Sequence, residues 1–176
     1  MSRVLVAVLL ACALASCAVP PAPDAASPDT DDRPALSFTD WTGETELFAE
    51  LRALVVGEDS ALAAHVTRLS DFSALADGVV VAVLERSDGG VERFEVAVAS
   101  PSGIFRPIIR PSRAGPAELR VEIRAPGIDV VHVLGDVDVF EDHAAARAAI
   151  PAEPDPAGRI TFLKEQQWVV PFATTI

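Results

Sequence analysis

The first side chain able to do chemistry along this chain is a thiol. Cys17 follows Leu14-Ala15-Ser16, and before these stand one basic residue, Arg3, and an apolar run from Val4 to Leu14. That is the n-region and h-region order of a secretory signal peptide. The run is too short to span a bilayer, which takes about 20 apolar residues. Small residues at Ala15 and Ser16 leave the backbone open to a peptidase, and the cysteine after them supplies the side chain that diacylglycerol transfer requires. The stretch reads as a lipobox, with cleavage before Cys17 and a lipid on its sulfur. Cys12 would close a second box only with an h-region at the bottom of the workable range of about 7 to 15 residues, and it leaves with the signal.

Metal or hydrolytic chemistry needs histidines and carboxylates that converge. The only histidines are His65, His132 and His143. His65 alternates with Leu62, Ala64 and Val66, and His132 sits among Val131, Val133 and Leu134, so both are expected on the solvated faces of strands. They are weak candidates for a shared metal site, should their strands be neighbours. Asp136, Asp138, Glu141 and Asp142 offer carboxylates to a hard cation, but their spacing is not that of a calcium loop. Asp136 and Asp138 are expected on one wet strand face. The chain has no Gly-x-Ser-x-Gly elbow and no glycine-rich phosphate loop. No catalytic residue and no cofactor are expected, which favours a binding or structural module over an enzyme.

Removing 16 of 176 residues leaves 160, one domain of ordinary size with linkers. The remaining cysteine is acylated, so no disulfide is expected even in an oxidising compartment. A net charge of -12 argues against nucleic acid and against adsorption to anionic lipid. After the signal (residues 1–16), residues 17–34 carry Pro20, Pro21, Pro23, Pro28 and the acids Asp24, Asp29, Asp31 and Asp32. This reads as a disordered tether through Arg33, reaching roughly 50 Å at about 3.1 Å per residue.

From Ala35 the pattern changes to short alternating or β-branched runs bounded by glycine, proline and aspartate. Strands are expected over Leu36 to Asp40, Thr45 to Leu51, Leu54 to Val56, Ser60 to Leu69, Val79 to Arg86, Val91 to Ala99, Gly103 to Ile109, Ala117 to Arg124, and Val130 to Phe140 with a break at Gly135. Leu119, Val121 and Ile123 should face a core while Glu118, Arg120, Glu122 and Arg124 face water. Ser87-Asp88-Gly89-Gly90 is a hairpin turn that pairs the strands on either side of it. Residues 35–140 are therefore expected to form an all-β, immunoglobulin-like β-sandwich. Residues 141–159 read as an alanine- and proline-rich linker with a brief helix over Asp142 to Ala149, and residues 160–176 as an extended tail. Phe162, Leu163, Trp168 and Phe172 make that tail apolar enough to need cover.

The tail runs Ile160-Thr161-Phe162-Leu163-Lys164-Glu165-Gln166-Gln167-Trp168, then Val169-Val170-Pro171-Phe172-Ala173-Thr174. It resembles the segment leading into the core of periplasmic adaptor subunits, or membrane fusion proteins, of RND-type efflux pumps, in the branch related to cation efflux. Trp41-Thr42, Thr45-Glu46-Leu47-Phe48, Ala53 to Glu58, His65 to Phe72 and Gly103-Ile104-Phe105 are similar to the N-terminal domain of the same subunits. The resemblance covers most of the chain after Arg33. It implies a lipid-anchored, non-enzymatic module on the periplasmic side of the envelope. Its implied partners are an inner-membrane pump, an outer-membrane channel and other adaptor protomers. Phe162, Lys164, Glu165, Gln166, Gln167, Trp168 and Phe172 would then lead to an adaptor core that the sequence given does not contain, as in a truncated adaptor. Some such adaptors bind metal through N-terminal methionine or histidine, whereas this chain has only Met1 and no histidine cluster. The alternative is a stand-alone envelope lipoprotein whose sandwich binds a ligand or partner. Ala18 after the cysteine is not the aspartate that would argue for inner-membrane retention, so which membrane holds the anchor stays open.

Overall fold

The computed structural model describes residues 31–150 and Trp168. The lipobox, most of the tether, the proline segment of the linker and, in the tail, Phe162, Lys164, Glu165, Gln166, Gln167 and Phe172 lie outside the described residues.

Alternating side chains build two sheets around one core. The first sheet has the order β1 (Ala35–Trp41), β2 (Thr45–Arg52), β5 (Ala63–Arg68), β8 (Ile104–Phe105). The second has the order β3 (Leu54–Val55), β11 (Ile128–Phe140), β10 (Gly115–Ala125), β6 (Asp77–Glu85), β7 (Val91–Val98). A short ribbon pairs β4 (Ser60–Ala61) with β9 (Ile108–Ile109). Leu47, Ala49 and Leu51 on β2 bury every second position, as do Leu119, Val121 and Ile123 on β10, and the two rows join one cluster with Phe105 and Leu84. A period of two dictates this packing on β2 and β10, whereas the central strands β5 and β6 are buried on both faces.

The chain leaves β2 for β3 through the buried Ala53 and changes sheets there, pairing in parallel with β11 through Val139 with Leu54 and Phe140 with Val55. All other strand pairs are antiparallel. The second extended segment is thus divided between the two sheets, as the sandwich the sequence suggests allows. The β6–β7 hairpin forms around Asp88-Gly89 as expected, with Glu85 opposite Val91.

The structure corrects three boundaries. Ser60 to Leu69 and Gly103 to Ile109 are each two strands, because these segments pair twice, as β5 with β8 and as β4 with β9, with bends at Leu62 and Pro107. β11 has no break at Gly135. Instead Leu119 faces Gly135 while Arg120 faces Val133, leaving Leu134 as the extra residue of a bulge, and Gly135 takes the positive φ of +101°.

The fold also begins before Ala35. Arg33 is buried, and its guanidinium donates to the carbonyls of Ala53 (3.4 Å) and Asp59 (2.9 Å). At the other end α1 (His143–Ala149) forms as expected, capped by Asp142, whose carboxylate accepts from the Ala145 N–H at 2.8 Å. Its Ala146 is fully buried in a second cluster with Ala53 and Val55, so the helix belongs to the fold rather than to a linker.

Candidate functional site

On β5 the alternation sends Ala64 and Val66 to the core and His65 and Thr67 to the opposite face of the first sheet. Trp168 lies on that outer face. Its indole Nε1 donates to Thr67 Oγ1 at 2.7 Å, and its ring centre lies 6.3 Å from that of His65 at an interplanar angle of 32°. His65 in turn packs beside Phe48 of β2, with ring centres 5.5 Å apart.

The floor of this seat is a glycine. Gly103 has φ +86°, and a Cβ there would stand 2.7 Å from Cη2 of the indole and 2.7 Å from Cβ of Ala74, closer than side chains pack. The Val66 N–H donates to the Gly103 carbonyl at 2.8 Å, and a bridge joins Thr67 to Ala74, so the walls are fixed by backbone pairing. The seat thus offers an apolar floor, aromatic neighbours and one acceptor for an N–H, which is what an indole needs when it leaves water.

His65 was expected on a wet face. It does lie on the side away from the core, but it is buried, with Trp168 and Phe48 packed against it. His132 was expected to be solvated too, and it is fully buried instead. Its row on β11 faces Val121 and the core, while Val131 and Val133 are the exposed pair, about half accessible at 49% and 51%.

Polar partners make the burial of His132 tolerable. Nδ1 lies 3.0 Å from Asp40 Oδ2, Nε2 lies 2.9 Å from Thr45 Oγ1, and Thr45 Oγ1 lies 3.3 Å from Thr42 Oγ1. An ionised carboxylate only accepts, so Nδ1 carries the proton, and the neutral ring accepts the Thr45 hydroxyl at Nε2. Burial pushes the His132 pKa down, against the hydrogen bond and charge of Asp40. Carboxylate, imidazole and hydroxyl stand in the order of a hydrolase relay. Yet Thr45 and His132 expose no surface, so no substrate carbonyl can reach Oγ1. The relay is a polar brace that ties β1 and β2 to β11 across the two sheets.

Both nitrogens of His132 are engaged, and His65 faces the other side of the first sheet, so the two candidate metal ligands do not converge. His143 lies apart on α1. Its Nε2 is 2.6 Å from Glu58 Oε2, its Nδ1 is 3.1 Å from Asp32 Oδ1, and Arg147 pairs with the same Asp32. The hydrogen bond to Glu58, then that to Asp32, raises its pKa. Asp136 and Asp138 are exposed on β11, as expected.

Asp40, Thr45, Phe48, Thr67 and Gly103, all part of these two arrangements, were not singled out as site residues from the sequence. A glycine two residues after Pro101 announces a turn, but nothing local announces that an indole will rest on it. No helix among the described residues is long and apolar enough to cross a membrane. No family model matches this chain, and neither a curated protein nor a solved structure matches it.

Proposed function

We propose that this chain is the N-terminal, lipid-tethered β-sandwich module of a periplasmic efflux adaptor, working by protein contact and not by catalysis. One observation carries the reading. The stretches similar to adaptor subunits are scattered along the chain, and a residue or two from four of them meets at one seat: Phe48, His65 with Thr67, Gly103, and Trp168. Scattered likeness that converges in space is what a shared structural task requires. Here that task is to fix the segment after the proline-rich linker against the sandwich, so that the position of the sandwich sets the direction of what that segment leads to. Heavy-metal cations are the substrate class that the likeness suggests, handled by the pump and not by this module.

The test is deletion of the gene in its native host. Cells lacking it should accumulate more divalent heavy-metal cation and tolerate less of it, with both restored by the full chain. Unchanged accumulation and tolerance would count against the efflux reading. A second reading, a stand-alone envelope lipoprotein, is favoured by the cover that Trp168 finds in its own sandwich. It predicts unchanged efflux together with photo-crosslinks from exposed Ile108 or Val133 to an envelope protein that is no pump or channel component.

A further inference from the structure

We propose that the Trp168 seat is exchangeable, and that the indole of a second copy of this chain fills it in place of the chain's own, linking two copies by reciprocal exchange. The proposal rests on the seat's geometry and on the length of the chain leading to Trp168, and does not depend on the efflux reading. The seat is specific for its occupant. Thr67 Oγ1 accepts the indole N–H at 2.7 Å, Gly103 leaves room where any Cβ would collide, and His65 and Phe48 give the apolar ring an aromatic wall. It lies on the outer face of β5, outside the core shared by the two sheets, so an indole can leave or enter without opening that core.

The connection is long enough for exchange. Seventeen residues lie between Ile150 and Trp168, and Pro151, Pro154 and Pro156 stand among them. A proline-rich connection of that length reaches up to roughly 55 Å, more than the width of a domain of this size. The chain's own indole has the advantage of an effective concentration in the millimolar range, so exchange belongs to crowded or clustered copies. Reciprocal exchange of identical elements needs no new complementary surface, because each seat receives the side chain it already fits.

Two variants separate the seat from its occupant: Gly103→Ala, which fills the floor but keeps Trp168, and Trp168→Ala, which empties the seat but keeps the floor. Both carry Trp41→Phe, since Trp41 is 60% exposed and would mask the signal. Alone, the Gly103→Ala chain should emit like a solvated indole, and both variants should sediment as monomers. Mixed one to one at high concentration, they should form a dimer whose indole emission moves to shorter wavelength. A mixture that stays the sum of its components overturns the proposal, and so does a dimer that forms without the emission shift. If Gly103→Ala fails to fold, as its positive φ allows, Thr67→Val replaces it and must give the same complementation. Adding Thr67→Val to the Trp168→Ala partner must abolish the dimer, and a dimer that survives it also overturns the exchange.

Discussion

His132 and His143 titrate in opposite senses around the ordinary histidine value of about 6.5. Burial lowers the pKa of His132 in the fold, so as pH falls below 6.5 the unfolded chain takes up that proton first and stability declines. Glu58 and Asp32 raise the pKa of His143. Its contribution is therefore complete below 6.5 and is lost as pH climbs through the raised value. The two windows meet, and urea unfolding between pH 5 and pH 8 should show greatest stability near their junction. His132→Gln should flatten the acid limb, and His143→Gln the alkaline limb. An acid limb that persists unchanged in His132→Gln would mean that the brace does not control it. At pH 7.5 His132→Ala should lower stability by about 1–3 kcal/mol, because it leaves Asp40 and Thr45 without their partner.

At the scale of elements, the β6–β7 hairpin is held to the approach of β10 by one buried arginine. Arg86 donates to the carbonyls of Arg113 (2.7 Å), Gly115 (3.3 Å) and Pro116 (3.4 Å) and to Glu92 Oε1 (3.2 Å), while Glu92 also accepts the Ser112 N–H at 2.8 Å. Arg86→Met fills a similar volume but leaves these acceptors without a donor, so chemical unfolding should report a loss of roughly 2–4 kcal/mol. Arg113→Ala removes only an exposed pair with Asp88 and should cost less than about 1 kcal/mol. A smaller loss for Arg86→Met than for Arg113→Ala would refute this ordering. The contrast also marks what the sequence could convey. β2, β7 and β10 were legible because alternation is local, β6 because its apolar, valine-rich run is, and the β6–β7 turn because Asp88-Gly89 is. Buried polar groups were not. The partner of His132 is Asp40, 92 residues away, and Trp168 meets Thr67 across 101 residues. A histidine between valines has the same local pattern whether its row faces water or a waiting carboxylate. Arg33 was grouped with the tether for the same reason, since its acceptors at Ala53 and Asp59 are set by the fold.

For the whole molecule, the proposed anchor at Cys17 makes attachment and folding separable. Among the described residues one core joins both sheets, from Leu47 on β2 to Val139 on β11. The proposed lipid at Cys17, before the first acids and prolines of the tether, would then act as a membrane attachment rather than a structural element. A single acyl chain binds membranes only marginally, but the diacylglycerol of a lipoprotein supplies two, so attachment through Cys17 should be stable. Cys17→Ser should therefore move the protein from the detergent phase to the aqueous phase in a phase-separation assay. Its melting temperature should match that of the parent chain once both are in the same detergent, because the core is untouched. Retention of Cys17→Ser in the detergent phase would place the anchor elsewhere. A lowered melting temperature would mean that the N-terminal segment contributes to the fold, against that separation.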